Sequence, residues 1–150
     1  MAEKTKLAIH IAKKLRKCFD EYYNEIARNI NFPFHAFPHN SCEGASALLG
    51  GVLSRKLNTE EIFIINIYSS TLSGEHYFVE FEELYYDLTF DQFKLGKGII
   101  IAEEKEYLDS ITTKSISRRK VIDFLNEFYL KGENHKFNTE QAIKNLMYHI

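Results

Sequence analysis

Both prolines of this 150-residue chain, Pro33 and Pro38, lie close together and separate two helical patterns in its N-terminal part. Proline removes a backbone N–H donor and fixes φ, so the stretch 31–40 is not a regular helix. Before it, apolar residues recur at helical spacing over 6–29, with a lysine-rich outer face. After it, a second helix is predicted over 42–56, so the irregular stretch brings the chain to the start of that helix.

The middle of the chain has the pattern of an antiparallel sheet, and helical spacing returns near the end. The predicted strands are 61–68, one around His76, one around Asp87 and one at 98–102; the predicted later helices are 117–130 and 138–150. We therefore expect an α+β fold in a single domain, 1–150. A small antiparallel sheet would pack against an N-terminal helical layer that includes the Cys42 helix, with the other helices at the C-terminal end.

Charge and cysteine content exclude several classes of protein. The formal net charge is −2 and acidic and basic residues are interspersed, so we expect no nucleic-acid partner. Two cysteines, Cys18 and Cys42, do not suggest a disulfide framework. No signal-peptide core or bilayer-spanning segment is recognised, so we expect no membrane association and a cytoplasmic location, or export by a dedicated secretion machine. We expect no cofactor.

Cys42 stands where a polar, turn-prone stretch, His39-Asn40-Ser41, gives way to the small and apolar run 45–49. This pattern places a thiol at or near a helix N-terminus. Unpaired amide N–H groups and the positive end of the helix dipole favour the thiolate there, and the thiolate is the nucleophilic form of cysteine. His76 and Asp87 follow, so cysteine, histidine and acid occur in an order that a thiol hydrolase can use.

The hairpin that joins the His76 and Asp87 strands decides whether these two residues meet. Its predicted tip is an acidic cluster, Glu80, Glu82 and Glu83, interpreted as solvated. An even-numbered loop pairs even residues with odd ones, so His76 and Asp87 would share a face, directly opposite or one rung apart. A three-residue loop would put them on opposite faces. If they share a face, Asp87 would orient the imidazole, leaving its other nitrogen for the Cys42 sulfur.

These residues resemble the papain-like and transglutaminase-like cysteine protease superfamily. The likeness rests on Cys42 opening a helix, on the strand His76-Tyr77-Phe78-Val79-Glu80, and on the stretch from Tyr86 through Asp87-Leu88-Thr89 to Gln92-Phe93. It implies Cys42 as nucleophile, His76 as general base and acid, and Asp87 as orienting acid. Papain-like enzymes usually place a glutamine before the cysteine as oxyanion donor, but no glutamine precedes Gln92 here. Asn40, His39 or a backbone N–H would serve instead.

The activity that this resemblance implies is thiol-dependent attack on a carboxamide or ester carbonyl through an acyl-enzyme. Depending on the acceptor, the chain would be a peptidase, a glutamine deamidase or a transglutaminase-like enzyme. Its partner would be a protein or peptide substrate that carries a carboxamide. The alternative is a non-catalytic papain-like binding module, such as an immunity or inhibitor protein, with the acidic hairpin tip and aromatic residues as its contact surface.

Several residues admit a second interpretation. Asp91 is the rival acid, although Asp87 is preferred because it falls in the strand opposite His76. Gln92 either lines the site as an oxyanion or support residue or caps a helix. The spacing His35-x3-His39-x2-Cys42, with His76, is that of a zinc site, which would exclude Cys42 as a nucleophile. The thiol interpretation is favoured over this one, so we expect no metal in the site.

Overall fold

A computed structural model of the chain describes residues 2–30, 38 and 41–150, and for residues 23–30 it describes only the backbone. Its helices are α1 Glu3–Ile30, α2 Cys42–Leu57, α3 Glu106–Ile111, α4 Val121–Phe128 and α5 His135–Tyr148. Its strands are β1 Ile62–Ser69, β2 Gly74–Phe81, β3 Leu84–Asp87, β4 Ile100–Glu103 and β5 Lys114–Lys120. Two 3-10 turns, Phe90–Phe93 and Tyr129–Lys131, complete these elements. The expected α+β class is therefore confirmed.

The five strands form one sheet in the order β4-β3-β2-β1-β5, and every neighbouring pair is antiparallel. One face carries the larger hydrophobic core, which it shares with α1, α2, α4 and α5. The other face carries a smaller core covered by the first 3-10 turn and by α3, through Phe90 and Leu108. Two faces with separate cores mean that neighbouring residues of β2 point into different environments.

Helix α2 lies at the centre of the fold and is buried from Gly44 to Leu53. It packs against β1 and β2 and against α1, α4 and α5. A Cβ atom on Gly50 would lie 2.8 Å from Val121 Cγ2, and one on Gly51 would lie 2.7 Å from Ile143 Cδ1. The glycines thus allow close helix packing, and the buried body of α2 fixes where its N-terminal residue Cys42 lies.

Helix α1 differs from its predicted packing. Leu7 and Tyr22 belong to the predicted apolar stripe, yet they are 43% and 46% exposed. Ala8 and Ala12 are fully buried instead, because small side chains let the helix approach the core closely along that line. Tyr22 also leaves helical geometry, with φ −127° and ψ 17°, so the helix kinks there.

The prediction of one helix over 117–130 is wrong in its first part, where β5 pairs with β1 and α4 begins only at Val121. The segment Lys114–Lys120 is mostly charged or hydroxylated and forms an edge strand. An edge strand needs one pairing partner and few apolar residues, and its lysines and arginines discourage pairing with another chain. The short helix α3 was also not predicted.

Glu80 is not part of a solvated tip, contrary to the sequence interpretation. It is 3% exposed, and its carboxylate accepts hydrogen bonds from Arg118 at 2.9 and 3.1 Å and from Lys105 at 3.0 Å. Glu82 and Glu83 do form the exposed turn between β2 and β3. Along residues 2–30 and 41–150, no helix combines the length and the apolar character needed to cross a membrane.

Candidate active site

Cys42 is the first residue of α2 and is partly exposed, as its sequence context predicts. Ser41 precedes it, and the Ser41 carbonyl accepts the helix hydrogen bond from the Ala45 amide at 2.8 Å. The amide N–H groups of the first helical turn have no acceptor within the helix and point out of its N-terminus. The Cys42 thiol thus stands beside backbone donors at the positive end of a 16-residue helix.

His76 and Asp87 lie on the same face of the β2–β3 hairpin, as the parity argument predicts. The connection has two residues, Glu82 and Glu83, with φ of 51° and 62°, a left-handed pair typical of tight hairpins. Val79 pairs with Tyr86. Continuing this register sets Asp87 opposite Phe78, which lies two positions beyond His76. The two side chains are one rung apart, and His76 Nε2 lies 2.5 Å from Asp87 Oδ2.

The imidazole of His76 is fully buried among aromatic rings. Phe93 meets it edge-on with ring centroids 4.9 Å apart, and Phe78 and Phe90 lie at 6.1 and 6.2 Å. The side chain of His76 is 0% exposed and that of Asp87 1%. Because rings enclose the pair, water competes little for the hydrogen bond and the orientation of the imidazole is fixed.

The charge state of His76 follows from opposing effects. Burial lowers its pKa, but the Asp87 carboxylate and its hydrogen bond, together with the neighbouring Cys42 side chain, raise the pKa to about 10. His76 is therefore an imidazolium at neutral pH. With Nε2 on Asp87, the buried Nδ1 has no partner that meets ordinary hydrogen-bond geometry among the residues that the structure describes. This nitrogen is the one left for the neighbouring thiol.

Asp87 has a supporting shell that was not predicted from the sequence. Its Oδ1 accepts hydrogen bonds from the Thr89 amide at 3.1 Å and from the Thr89 hydroxyl at 3.2 Å. The Thr89 hydroxyl in turn accepts from Gln92 Nε2 at 3.2 Å. Both Asp87 oxygens thus accept hydrogen bonds or contacts, one from His76 and one from the turn that follows the strand. An aspartate that bonds the backbone two residues on is a common turn motif, so the Asp-x-Thr spacing was the available signal.

Asp91, the rival acid, is engaged elsewhere. Its two oxygens accept from the Arg16 guanidinium at 2.8 Å each, a paired geometry that arginine makes with carboxylates. Arg16 also donates to the Leu88 carbonyl at 2.7 Å. Helix α1 therefore holds the turn directly after Asp87, and Asp87 rather than Asp91 is the acid bonded to His76.

Comparison of the chain with protein-family models, curated proteins and solved structures gives no significant match. Asn40 and His39, the expected upstream oxyanion donors, lie outside the described residues, as does His35. The alternative grouping of these histidines with Cys42 and His76 as a zinc site is untested for the same reason. Gln92 Nε2 donates to the Thr89 hydroxyl, which in turn bonds Asp87.

A cleft of about 430 Å³ reaches the first turn of α2. Glu43, which follows Cys42, and Tyr77, which follows His76, both line it. Burial and the nearby Glu43, Glu75 and Cys42 raise the pKa of the Tyr77 hydroxyl to about 12, so Tyr77 stays neutral. The cleft continues over the face of the sheet that α4 covers, along Phe124 and Phe128.

Together these residues provide the parts of a nucleophilic site. Cys42 supplies a thiol at a helix N-terminus, His76 an imidazolium beside it, and Asp87 a buried carboxylate that orients the ring. Backbone N–H groups at the same helix end can receive negative charge that develops on an attacked carbonyl. This combination is suited to attack on an acyl carbon and proton transfer to the leaving group.

Proposed function

We propose that this protein is a thiol-dependent amide hydrolase or acyltransferase in which Cys42, His76 and Asp87 act as nucleophile, acid-base and orienting acid. The observation that carries the proposal is the 2.5 Å contact of His76 Nε2 with Asp87 Oδ2, with the Cys42 side chain beside the same ring. The finer fold assignment is proposed with it: α2 packed on the antiparallel sheet would be the core of a papain-like or transglutaminase-like domain. Cytoplasmic location is proposed too, because a reducing compartment keeps such a thiol free.

The reaction would begin from a thiolate-imidazolium pair. The Cys42 thiolate attacks the substrate carbonyl carbon, a C–S bond forms, and the carbonyl electron pair moves to oxygen. The oxyanion then collapses, the C–N bond breaks, and the His76 imidazolium gives its proton to the leaving amine or ammonia. The product of this half is an acyl-enzyme with a neutral imidazole.

In the second half, neutral His76 takes a proton from the acceptor as the acceptor attacks the thioester. The C–S bond breaks, the Cys42 thiolate leaves, and the imidazolium is restored. Water as acceptor gives hydrolysis of a peptide bond or deamidation of a glutamine, and an amine gives transamidation. The substrate proposed for either outcome is a protein or peptide that carries a carboxamide.

The oxyanion would be held by the Cys42 backbone N–H and by a donor upstream, for which Asn40 is the proposed residue. Gln92 is proposed as a support of Asp87, since its side chain amide donates to Thr89. Removal of one oxyanion donor typically costs about 100-fold to 1,000-fold in rate. The Asn40→Ala variant should therefore keep its thiol reactivity toward a small alkylating agent but lose rate on an amide substrate.

Selective alkylation tests the proposal, because Cys18 is an internal control. Cys18 is 8% exposed, and burial raises the pKa of its thiol. We expect iodoacetamide at pH 6 to modify Cys42 far faster than Cys18, with the selectivity abolished in His76→Ala, as read by peptide mass mapping. Equal and slow labelling of both cysteines would overturn the proposal and favour a non-catalytic binding module.

A further inference from the structure

Asn66 interrupts an otherwise apolar stretch of the central strand β1, where its immediate neighbours are Ile65 and Ile67. The strand register sets Asn66 directly opposite Tyr77 of β2 and Ser117 of β5. Side chains that are directly opposite in an antiparallel sheet point to the same face. An amide therefore lies between two hydroxyl-bearing residues in one row across three strands, and at the usual strand spacing this row extends over roughly 10 Å.

The Asn66 side chain is 6% exposed, and only one end of its amide has a partner. Its Nδ2 donates to Glu75 Oε1 at 3.3 Å, whereas its buried Oδ1 has no hydrogen-bond partner in the described part of the chain. Turning the amide over would set Oδ1 against the Glu75 carboxylate, which has no proton to donate. A buried acceptor without a donor destabilises a fold, so a ligand that donates to Oδ1 would be stabilising.

The row of Tyr77, Asn66 and Ser117 lines the cleft of about 430 Å³ that reaches the first turn of α2. This volume lies within the range of pockets that enclose small ligands. Neither Cys42 nor His76 lines the cleft, and adjacent strand residues such as His76 and Tyr77 point to opposite faces of the sheet. The cleft is therefore separate from the proposed active site.

The charged residues that line the cleft are paired with one another. Lys131 Nζ lies 3.1 Å from Glu43 Oε1, and the Arg119 guanidinium donates to the Glu127 carboxylate. A charged ligand would thus find no unpaired counter-ion among these four residues, and it would lose part of its hydration on entry. The electrostatics favour an uncharged ligand.

The aromatic residues of the cleft argue against a flat ligand. Phe124 and Phe128 line it but are only 5% and 2% exposed, so little of either ring is open for stacking, on which the binding of a nucleobase often depends. A sugar ring instead carries several hydroxyls, and each of them both donates and accepts. Such a ring can donate to Asn66 Oδ1 and also bond the hydroxyls of Tyr77 and Ser117.

We propose that this cleft binds an uncharged sugar ring through the row of Tyr77, Asn66 and Ser117, with one sugar hydroxyl donating to Asn66 Oδ1. The inference goes beyond the proposed function and does not depend on it, since binding here requires neither Cys42 nor His76.

Saturation-transfer NMR on the full chain tests this ligand class. The uncharged probes are the methyl glycosides of glucose, galactose and mannose, and the charged ones are glucuronate and glucosamine; adenosine represents a flat base. We expect transfer to at least one methyl glycoside and none to the charged sugars or to adenosine. Transfer to no methyl glycoside, or equal transfer to the charged sugars, would overturn the proposal, as would transfer to adenosine alone.

Two variants and a control assign binding to the row. Ser117→Ala removes one hydroxyl and should weaken the binding of the methyl glycoside by about two- to tenfold, the scale of one hydrogen bond. The adjacent Ile116 does not line the cleft and is 43% exposed, so Ile116→Ala should bind as the wild type does. Asn66→Leu keeps a similar shape without the unpaired oxygen, and we expect it to abolish binding.

Urea unfolding of Asn66→Leu separates a binding role from a structural one. Because the variant removes an unpartnered buried oxygen, its unfolding midpoint should rise even as binding is lost. An amide that served only the fold would lower the midpoint when replaced. Either a lowered midpoint or retained binding in Asn66→Leu would overturn the proposed site.

Discussion

Asp87 Oδ2 lies 2.5 Å from His76 Nε2, although the two residues are one rung out of register on neighbouring strands. The diagonal contact needs an acid at the last residue of β3 and a ring long enough to reach it. Thr89 holds the other carboxylate oxygen from the opposite side. The acid is therefore fixed between a strand and a turn, and it directs the second imidazole nitrogen away from itself.

Asp87→Asn should reduce the reactivity of Cys42. The variant removes the charge that holds the pKa of His76 at about 10, so burial is then free to lower that pKa and to disfavour the imidazolium. We expect the rate of Cys42 alkylation at pH 6 to fall by about 100-fold, the scale typical of a lost acid-base partner. Asp91→Asn is the matched control: Asp91 bonds Arg16, so this variant should retain the wild-type rate. Similar losses in both variants would contradict the assignment of the acid.

Thr89 is expected to act as a positioning residue. Thr89→Val keeps the shape of the side chain but removes the hydroxyl bond to Asp87, so the carboxylate rotates more freely and holds His76 less well. We expect the pH midpoint of Cys42 labelling to rise and the rate at pH 6 to fall by about tenfold, since a hydrogen bond to a charged group is worth about 1.5–3 kcal/mol. Thr89→Ser should restore the profile. A purely structural role would lower stability in Thr89→Val and leave the pH midpoint where it is.

The stability of the fold should depend on alkaline pH through His76. Its pKa is raised from 6.5 to about 10 on folding, so the folded chain binds the extra proton in this interval. The stabilisation is therefore complete below pH 6.5 and is lost as pH rises toward 10. Urea unfolding of the wild type should show a falling free energy across this window, and His76→Gln should flatten the fall. Parallel slopes for the two proteins would contradict the raised pKa.

Glu80→Gln should destabilise the sheet. Glu80 is almost fully buried and accepts from Arg118 and Lys105, which lower its pKa against the effect of burial. Arg118 and Lys105 are partly exposed, which reduces the net loss, so we expect about 1–2 kcal/mol in the free energy of unfolding. The exposed turn residue Glu82 is the control, and Glu82→Gln should leave this free energy unchanged. Thermal or urea unfolding at pH 7 measures the free energy of unfolding of both variants. An equal loss in Glu80→Gln and Glu82→Gln would contradict a stabilising role for the buried Glu80 carboxylate.

Local patterns in the sequence predicted the residues that meet by short-range geometry. The helix start at Cys42 follows from turn-prone residues before an apolar run, and the shared face of His76 and Asp87 follows from a two-residue turn. Side chains alternate between the two faces of a strand, so parity along a hairpin depends only on residue numbers and on the length of the turn.

Residues whose role depends on distant partners were not predicted. Glu80 was interpreted as solvated because its partner Arg118 lies 38 positions away on β5, a strand whose residues were assigned in part to a helix. The cleft was missed for the same reason, since β5 and α4 form much of its lining. A charged edge strand has no apolar alternation to identify it in the sequence. Its contacts with other strands and helices can therefore be found only from the folded structure.

Arg16 on α1 bonds the Leu88 carbonyl across 72 positions of the chain. The turn that carries the support of the acid is thereby tied to the docking of the first helix, an event separate from closure of the hairpin. Cys42 alkylation consequently reports more than chemistry: its rate would register whether α1 is seated. Refolding can be followed over time with pulses of alkylating agent. Cys42 should become reactive only after Arg16 has bonded the Leu88 carbonyl.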